Sequence, residues 1–274
     1  MIDSKHLSSA LSERFGLVVS AKAEQTSEGQ RITIRPHDIE YTISFQIDIL
    51  LGWRTVTAIF KPGNFASSLV RSMNSATSEQ KAAFAVFAGS LRAKGARISF
   101  SIDGTDVDAV SPDTWPDGWS NITISMKKVG IVLERDKGYD FAAAFPWTTG
   151  FFGMALALLP LEAVPENELA GEEEGAEIYR TVKLYERSRI NRAACIEIHG
   201  TVCKVCEFSF GNTYGELGEG FIHVHHIVPV SQMGGRYILN PGSDLIPVCP
   251  NCHAMLHRKT TPYSPDELQQ IVRD

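Results

Sequence analysis

Several things are missing from this chain, and each absence narrows what it can be. Its 274 residues carry a formal charge of −6, which argues against a protein that coats nucleic acid without discrimination. No phosphate loop, Gly-x-Gly-x-x-Gly element or nucleophile triad motif occurs in its first half. The opening residues, MIDSKHLSSALSERFG, have no basic-then-apolar secretory pattern. Cysteine is scarce: of five, four stand in Cys-x-x-Cys pairs. That spacing favours metal binding over disulfides and points to a reducing cytoplasm. The longest uncharged run, Phe141 to Leu161, is interrupted by Pro146, Gly150 and Gly153. Its continuous apolar part, Phe151 to Leu159, is too short to span a bilayer, so a buried helix under the N-terminal sheet is expected and no membrane partner.

What remains reads as an α+β protein. Residues 4–14 suit a short helix with Ser4 as cap. Four runs of strand character follow, GLVVSAKA, RITIRP, YTISFQIDI and RTVTAIF, with a hairpin turn at residues 28–30. Phe65 to Met73 and Ser78 to Leu91 have helical apolar spacing, and Thr77 can cap the second helix. Strands return with ARISFSID and NITISMKK. Trp115 and Trp119, in the loop between them, can stack on an extruded base or cap the edge of the core; the second reading is preferred. Acidic and basic residues balance over 1–160. The stretch 162–178, EAVPENELAGEEEGAEI, is too acidic and apolar-poor to bury much. The expected organisation is therefore an N-terminal mixed α+β domain over 1–161, an acidic linker over 162–178 and a second domain over 179–274.

The chemistry concentrates in that second domain. A helix is expected from Tyr179 to His199. Its Arg187, Arg189 and Arg192, with Arg180 and Lys183, either lie solvated or contact phosphates. Cys195 lies within it, outside the paired spacing, as a packed thiol. Cys203 with Cys206 and Cys249 with Cys252 can close a four-thiolate structural zinc site, with a hairpin inserted between the two pairs. On that insert, His223 and His225 share one strand face and His226 begins to leave it. His253 and His257 follow at i, i+4 spacing on a helix. His225, His253 and His257 can surround one cation and leave positions open, while His226 beside it can take a proton from water near neutral pH. His223 either hydrogen-bonds a phosphate or stands exposed.

Over about residues 185–259, the segments YERSRINRAACIEIHG, YGELGEGFIHVHHIVPVS and DLIPVCPNCHAMLH resemble the HNH (ββα-metal) endonuclease family. The likeness is to the zinc-stapled form found in bacterial restriction enzymes. The resemblance implies that His225 is the first metal ligand and His226 the general base. It implies that His253 is the ligand opening the helix, and His257 a further ligand or phosphate contact. Asn240 or Asp244 takes the position that holds the hairpin loop, and Glu207 stands where relatives commonly have Gly. It also implies a DNA endonuclease using Mg2+ or another divalent cation such as Mn2+, Co2+ or Ni2+ on double-stranded DNA. Residues 1–161 would recognise the DNA, with modified bases in foreign DNA as one target, and a homodimer would serve to cut both strands. Two alternatives stand beside this: an effector nuclease in a multi-component phage-defence system, and a non-catalytic zinc module that binds nucleic acid.

Overall fold

The computed structural model describes residues 2–37, 39–133, 137–159, 185–227, 239–259 and 263–273. The expected linker lies outside them. Chain contacts divide the molecule into two compact units, Met1–Asn191 and Arg192–Asp274. No helix among the described residues is long and apolar enough to cross a membrane.

The first unit begins with α1 (Ser4–Phe15), which Asp3 rather than Ser4 caps by accepting a bond from the Lys5 N–H. Asp, like Ser, is a good cap, and the helix starts one residue earlier than its first hydroxyl suggests. Strands β1 (Val19–Thr26), β2 (Gly29–Pro36), β3 (Phe45–Leu51) and β4 (Thr55–Pro62) follow as an antiparallel meander. Tyr41–Ile43, read as strand because of its Tyr, Thr and Ile, is a 3-10 turn leading into β3. Next come α2 (Ser67–Asn74) and α3 (Ser78–Ala93). At the start of α3, the Thr77 hydroxyl and Gln80 amide bond reciprocally to backbone N–H groups, a capping box. Strands β5 (Arg97–Ile102), β6 (Thr105–Asp106) and β7 (Ile122–Val129) complete a seven-stranded sheet in the order β1-β2-β3-β4-β7-β5-β6.

Alternation along these strands gives the sheet one apolar face, where Ile32, Ile34, Ile47, Ile49, Phe60, Phe100 and Ile124 are buried. Helix α4 (Lys137–Ala157) carries the long uncharged run and packs against α3, β3, β4 and β7. Its second half, Phe151 to Ala157, is buried throughout, so the run is core, as expected from its length. Trp115 packs edge-on against Phe84 and Phe100, and Trp119 is buried as well. Both belong to the core and neither is presented to a base.

The second unit contains the C-terminal part of α5 (Tyr185–His199), α6 (Phe210–Tyr214), β8 (His223–His226), β9 (Leu245–Val248), α7 (Pro250–Leu256) and α8 (Pro265–Arg273). Strands β8 and β9 pair antiparallel, His225 opposite Ile246. The sequence β8, β9, α7 is the expected ββα arrangement. Its core is small: Ile196, Val205, Ile222, Val248, Leu256 and Leu268 close around Cys203, Cys249 and Cys252. A core of this size is marginal without a metal or crosslink.

Gly153 marks the tightest approach in the first unit. A β-carbon there would stand 2.5 Å from the Phe87 ring and 3.0 Å from Phe15. Alanine in a helix normally gains up to about 1 kcal/mol over glycine, but overpacking a dense core costs about 1–3 kcal/mol. Gly153→Ala is therefore expected to lower the thermal midpoint of the first unit, and a midpoint that rises instead would show that the ring yields freely.

Candidate metal centres

The first knuckle is a closed turn. The Cys203 N–H donates to the Phe208 carbonyl and the Glu207 N–H to the Cys203 carbonyl. Glu207 has φ +62°, a left-handed conformation that glycine adopts without strain. The side chain is tolerated, and the sulfurs are still brought together. The second knuckle is the start of α7: Cys249 is its N-cap, accepting from the Cys252 N–H at 3.4 Å, and Pro250 fills the first position, where no donor is needed. The Lys204 N–H donates to the Pro247 carbonyl and ties the first knuckle to β9.

The four sulfurs of Cys203, Cys206, Cys249 and Cys252 lie within 4.8 Å of one another, three of the residues buried, and none forms a disulfide. Burial pushes the thiols of Cys206 and Cys252 up, and the neighbouring Cys249 adds to both shifts. At Cys203 burial acts the same way, but backbone N–H groups of Cys206, Cys249 and Val205 outweigh it and hold the thiol below its ordinary value. Four sulfurs this close cannot all ionise unaided. A dication removes the repulsion and completes a tetrahedral shell, so the donor set fits zinc. Cys195 lies apart, buried and pushed up to about 12 by that burial, an inert packed thiol.

The second cluster joins His225, His253 and His257, whose ligand nitrogens also lie within 4.8 Å of one another. Ring centroids are 5.3 Å apart for His225–His253, 4.9 Å for His225–His257 and 5.1 Å for His253–His257. His225 is buried, His253 half-buried and His257 exposed, so the cluster opens outward on the His257 side. Three neutral imidazoles with an open side are a divalent-metal donor set with room for another ligand.

The family model described as HNH endonuclease matches residues 203–259, the stretch holding both clusters. These residues form an HNH endonuclease domain. A relative, the type IV methyl-directed restriction enzyme EcoKMcrA of Escherichia coli (strain K12), is 28% identical over 87 residues. The alignment covers 32% of this chain and 30% of the relative's length. No solved structure matches the chain.

Within the HNH domain, His226 ends β8, close enough to His225 and His253 to contribute to the lowering of both their pKa values. Asn240 and Asp244 share one turn. The Asp244 carboxylate accepts from the Asn240 N–H at 2.7 Å, the Asn240 side-chain oxygen accepts from the Gly242 N–H at 2.9 Å, and the Ile227 N–H donates to the Asp244 carbonyl. Both residues thus bond within the turn that leads into β9, and Asp244 also joins it to Ile227 at the end of β8. His199, not singled out from the sequence, reaches the same turn through a 2.9 Å contact between Nε2 and the Gly242 carbonyl. Only its position at a helix end hinted at it.

His223 is half-buried, with Nδ1 3.2 Å from Nδ1 of His253. Burial and then Arg192 hold its pKa below the ordinary value. Of the three expected phosphate contacts, Arg192 donates from Nη2 to the Ile222 carbonyl at 2.6 Å, just before β8. The Arg189 side chain lies over Gly16, so close that a β-carbon there would collide, and the side chain of Arg187 lies outside the described residues.

Two outcomes follow from these clusters. Cys203→Ser removes one of four zinc ligands, and zinc binding contributes directly to folding in so small a core. The variant is expected to lose zinc and the cooperative unfolding of residues 192–274; full zinc content with an intact transition would contradict this. His225 is held at about 4, first by burial and then by His253, His257 and His226. The unfolded chain takes up this proton near 6.5, so the stability His225 contributes is complete above that value and lost as pH falls from about 6.5 to about 4. With zinc kept on the thiolates and no second ion added, the denaturation midpoint should fall from pH 7 to pH 5.5, and less so in His225→Gln. Equal slopes in the two proteins would contradict it.

Proposed function

We propose that this protein is a metal-dependent endonuclease that hydrolyses phosphodiester bonds of double-stranded DNA. Its role on this reading is restriction of foreign DNA carrying modified bases, part of a cell's defence against phage. The observation that carries the reading is the convergence of His225, His253 and His257 on an outward-opening cluster directly beside four zinc-competent thiolates. When bound there, a divalent cation polarises the scissile phosphate and stabilises its developing charge. The imidazole donors suit Co2+ and Ni2+ better than Mg2+ and Mn2+, which prefer oxygen ligands. His225, His253 and His257 hold and orient that ion. His226 accepts the proton of the attacking water, a task for which a neutral imidazole is suited near pH 7. Asn240 and Asp244 keep the hairpin turn in place, so that β8 presents both histidines.

The name of the EcoKMcrA relative supports a preference for methylated substrates, and residues 1–161 are the part of the chain left to read them. Four reduced thiolates suit a cytoplasmic protein. A single imidazole cluster among the described residues suits a dimer for cutting both strands.

The test is cleavage of unmodified, cytosine-methylated and adenine-methylated duplexes with Mg2+, Mn2+, Co2+ or Ni2+. Cutting is expected to require the added ion, to favour a methylated duplex and to fall by about 100-fold or more in His226→Ala. Equal rates for variant and wild type would remove the assigned base. Equal cutting of all duplexes would remove the modification preference.

A further inference from the structure

One end of the N-terminal sheet holds groups that neither the core nor the metal centres use. Trp53, in the short connection between β3 and β4, is 86% exposed, whereas Trp115 and Trp119 are buried. The connection is held by backbone bonds on both sides. The Gly52 N–H donates to the Thr55 carbonyl at 2.9 Å, and the Arg54 carbonyl accepts from the Gly130 N–H at 2.9 Å and from the Ile131 N–H at 3.3 Å. With the backbone of the turn already pinned, a partner that covers the indole has only the side chain left to order.

Beside this tip lies an open cleft of about 560 Å3, lined by Arg92, Gly95, Arg97, Lys127 and Val129. Val129 pairs with Thr55, the residue that follows the tip, so cleft and tip share one end of the sheet. Arg97 stands directly opposite Lys127 in the register of β5 and β7. Cross-strand like charges are destabilising, and among the described residues neither Arg97 nor Lys127 forms an ion pair with a carboxylate. Arg92 bonds to Asp108 at 2.5 Å, and Lys128 turns away to the Lys94 carbonyl and the Trp147 ring. Arg97 and Lys127 line one space, with their Cα atoms about 5 Å apart across the strand pair. Ser99 and Ser125, paired in the next outward row, add hydroxyls of the kind that contact phosphates.

We propose that this sheet end binds duplex DNA, with Arg97 and Lys127 on a backbone phosphate and Trp53 wedged into the adjacent base stack. A phosphate between the two cations removes their repulsion. A rigid apolar side chain beside it is suited to unstack a base step, which a free anion would leave in water. The choice of duplex DNA rests on the endonuclease proposed above; the choice of surface does not.

The test uses the full chain, zinc-loaded, with His226→Ala to prevent cutting. Duplex binding is followed by indole fluorescence and by its dependence on salt. The parent is expected to show quenching on binding. Trp53→Ala should abolish that quenching and weaken binding about tenfold. Arg97→Gln with Lys127→Gln should flatten the slope of log affinity on log salt by about one. The same double variant should melt no lower than the parent, and higher where the like-charge pair is relieved, so weaker binding cannot be ascribed to unfolding. Unchanged slope and quenching in the variants would overturn the proposal, as would displacement of the duplex by duplex RNA or by anionic vesicles. DNA cleavage by wild type together with unchanged binding by the variants would sink this surface alone. Binding through this surface without cleavage under any ion would sink the endonuclease and leave the surface standing.

Discussion

Repulsion among four sulfurs is the constraint on which the C-terminal unit depends. Cys203, Cys206, Cys249 and Cys252 are drawn within 4.8 Å without a disulfide, an arrangement that a bare chain resists and a dication rewards. The apolar residues around them are few, and three of the cysteines belong to the same core as Val205, Ile222 and Leu256. A metal bound by these sulfurs would therefore sit within the core itself, and its binding would be coupled to folding of this unit.

The same sulfurs place the imidazoles. Cys249 is at once a thiolate donor and the N-cap of α7, the helix that carries His253 and ends at His257. The first knuckle is tied to β9 through Lys204 and Pro247, and β9 pairs with the strand bearing His225 and His226. A closed site thus fixes the geometry of an open one. Around the open site, positioning comes from short-range bonds. Arg192 holds the Ile222 carbonyl, His223 meets His253, and Asn240, Asp244 and His199 bond in the turn that leads into β9.

How much of this could be read from the sequence follows the range of the interaction. Cys-x-x-Cys spacing and an i, i+4 histidine pair are local signals, and both clusters contain the residues those signals pick out. The buried run of α4 was legible from its length and interruptions, and the capping of α3 from Thr77, though not the reciprocal bond from Gln80. Contacts across the ββα turn were not. Nothing in the neighbourhood of His223 says that a histidine thirty positions later will meet its ring. Likewise a basic helix does not show that Arg192 turns to a carbonyl and Arg189 to Gly16. Tyr41–Ile43 has strand composition but forms a 3-10 turn, because β-propensity reflects packing on a sheet more than the residue itself. Trp53 gave no signal, since exposure of an indole at a hairpin tip is decided by the register of β3 and β4.

The central claim is that one ion sits among sulfurs alone and a second, exchangeable one among imidazoles. X-ray absorption at the zinc edge, on protein holding one zinc per chain, tests it most directly. Four sulfur scatterers at about 2.3 Å and no nitrogen are predicted, with a second equivalent of metal adding nitrogen at about 2.0–2.1 Å. A first equivalent bound by nitrogen, or by sulfur and nitrogen mixed, would contradict the account.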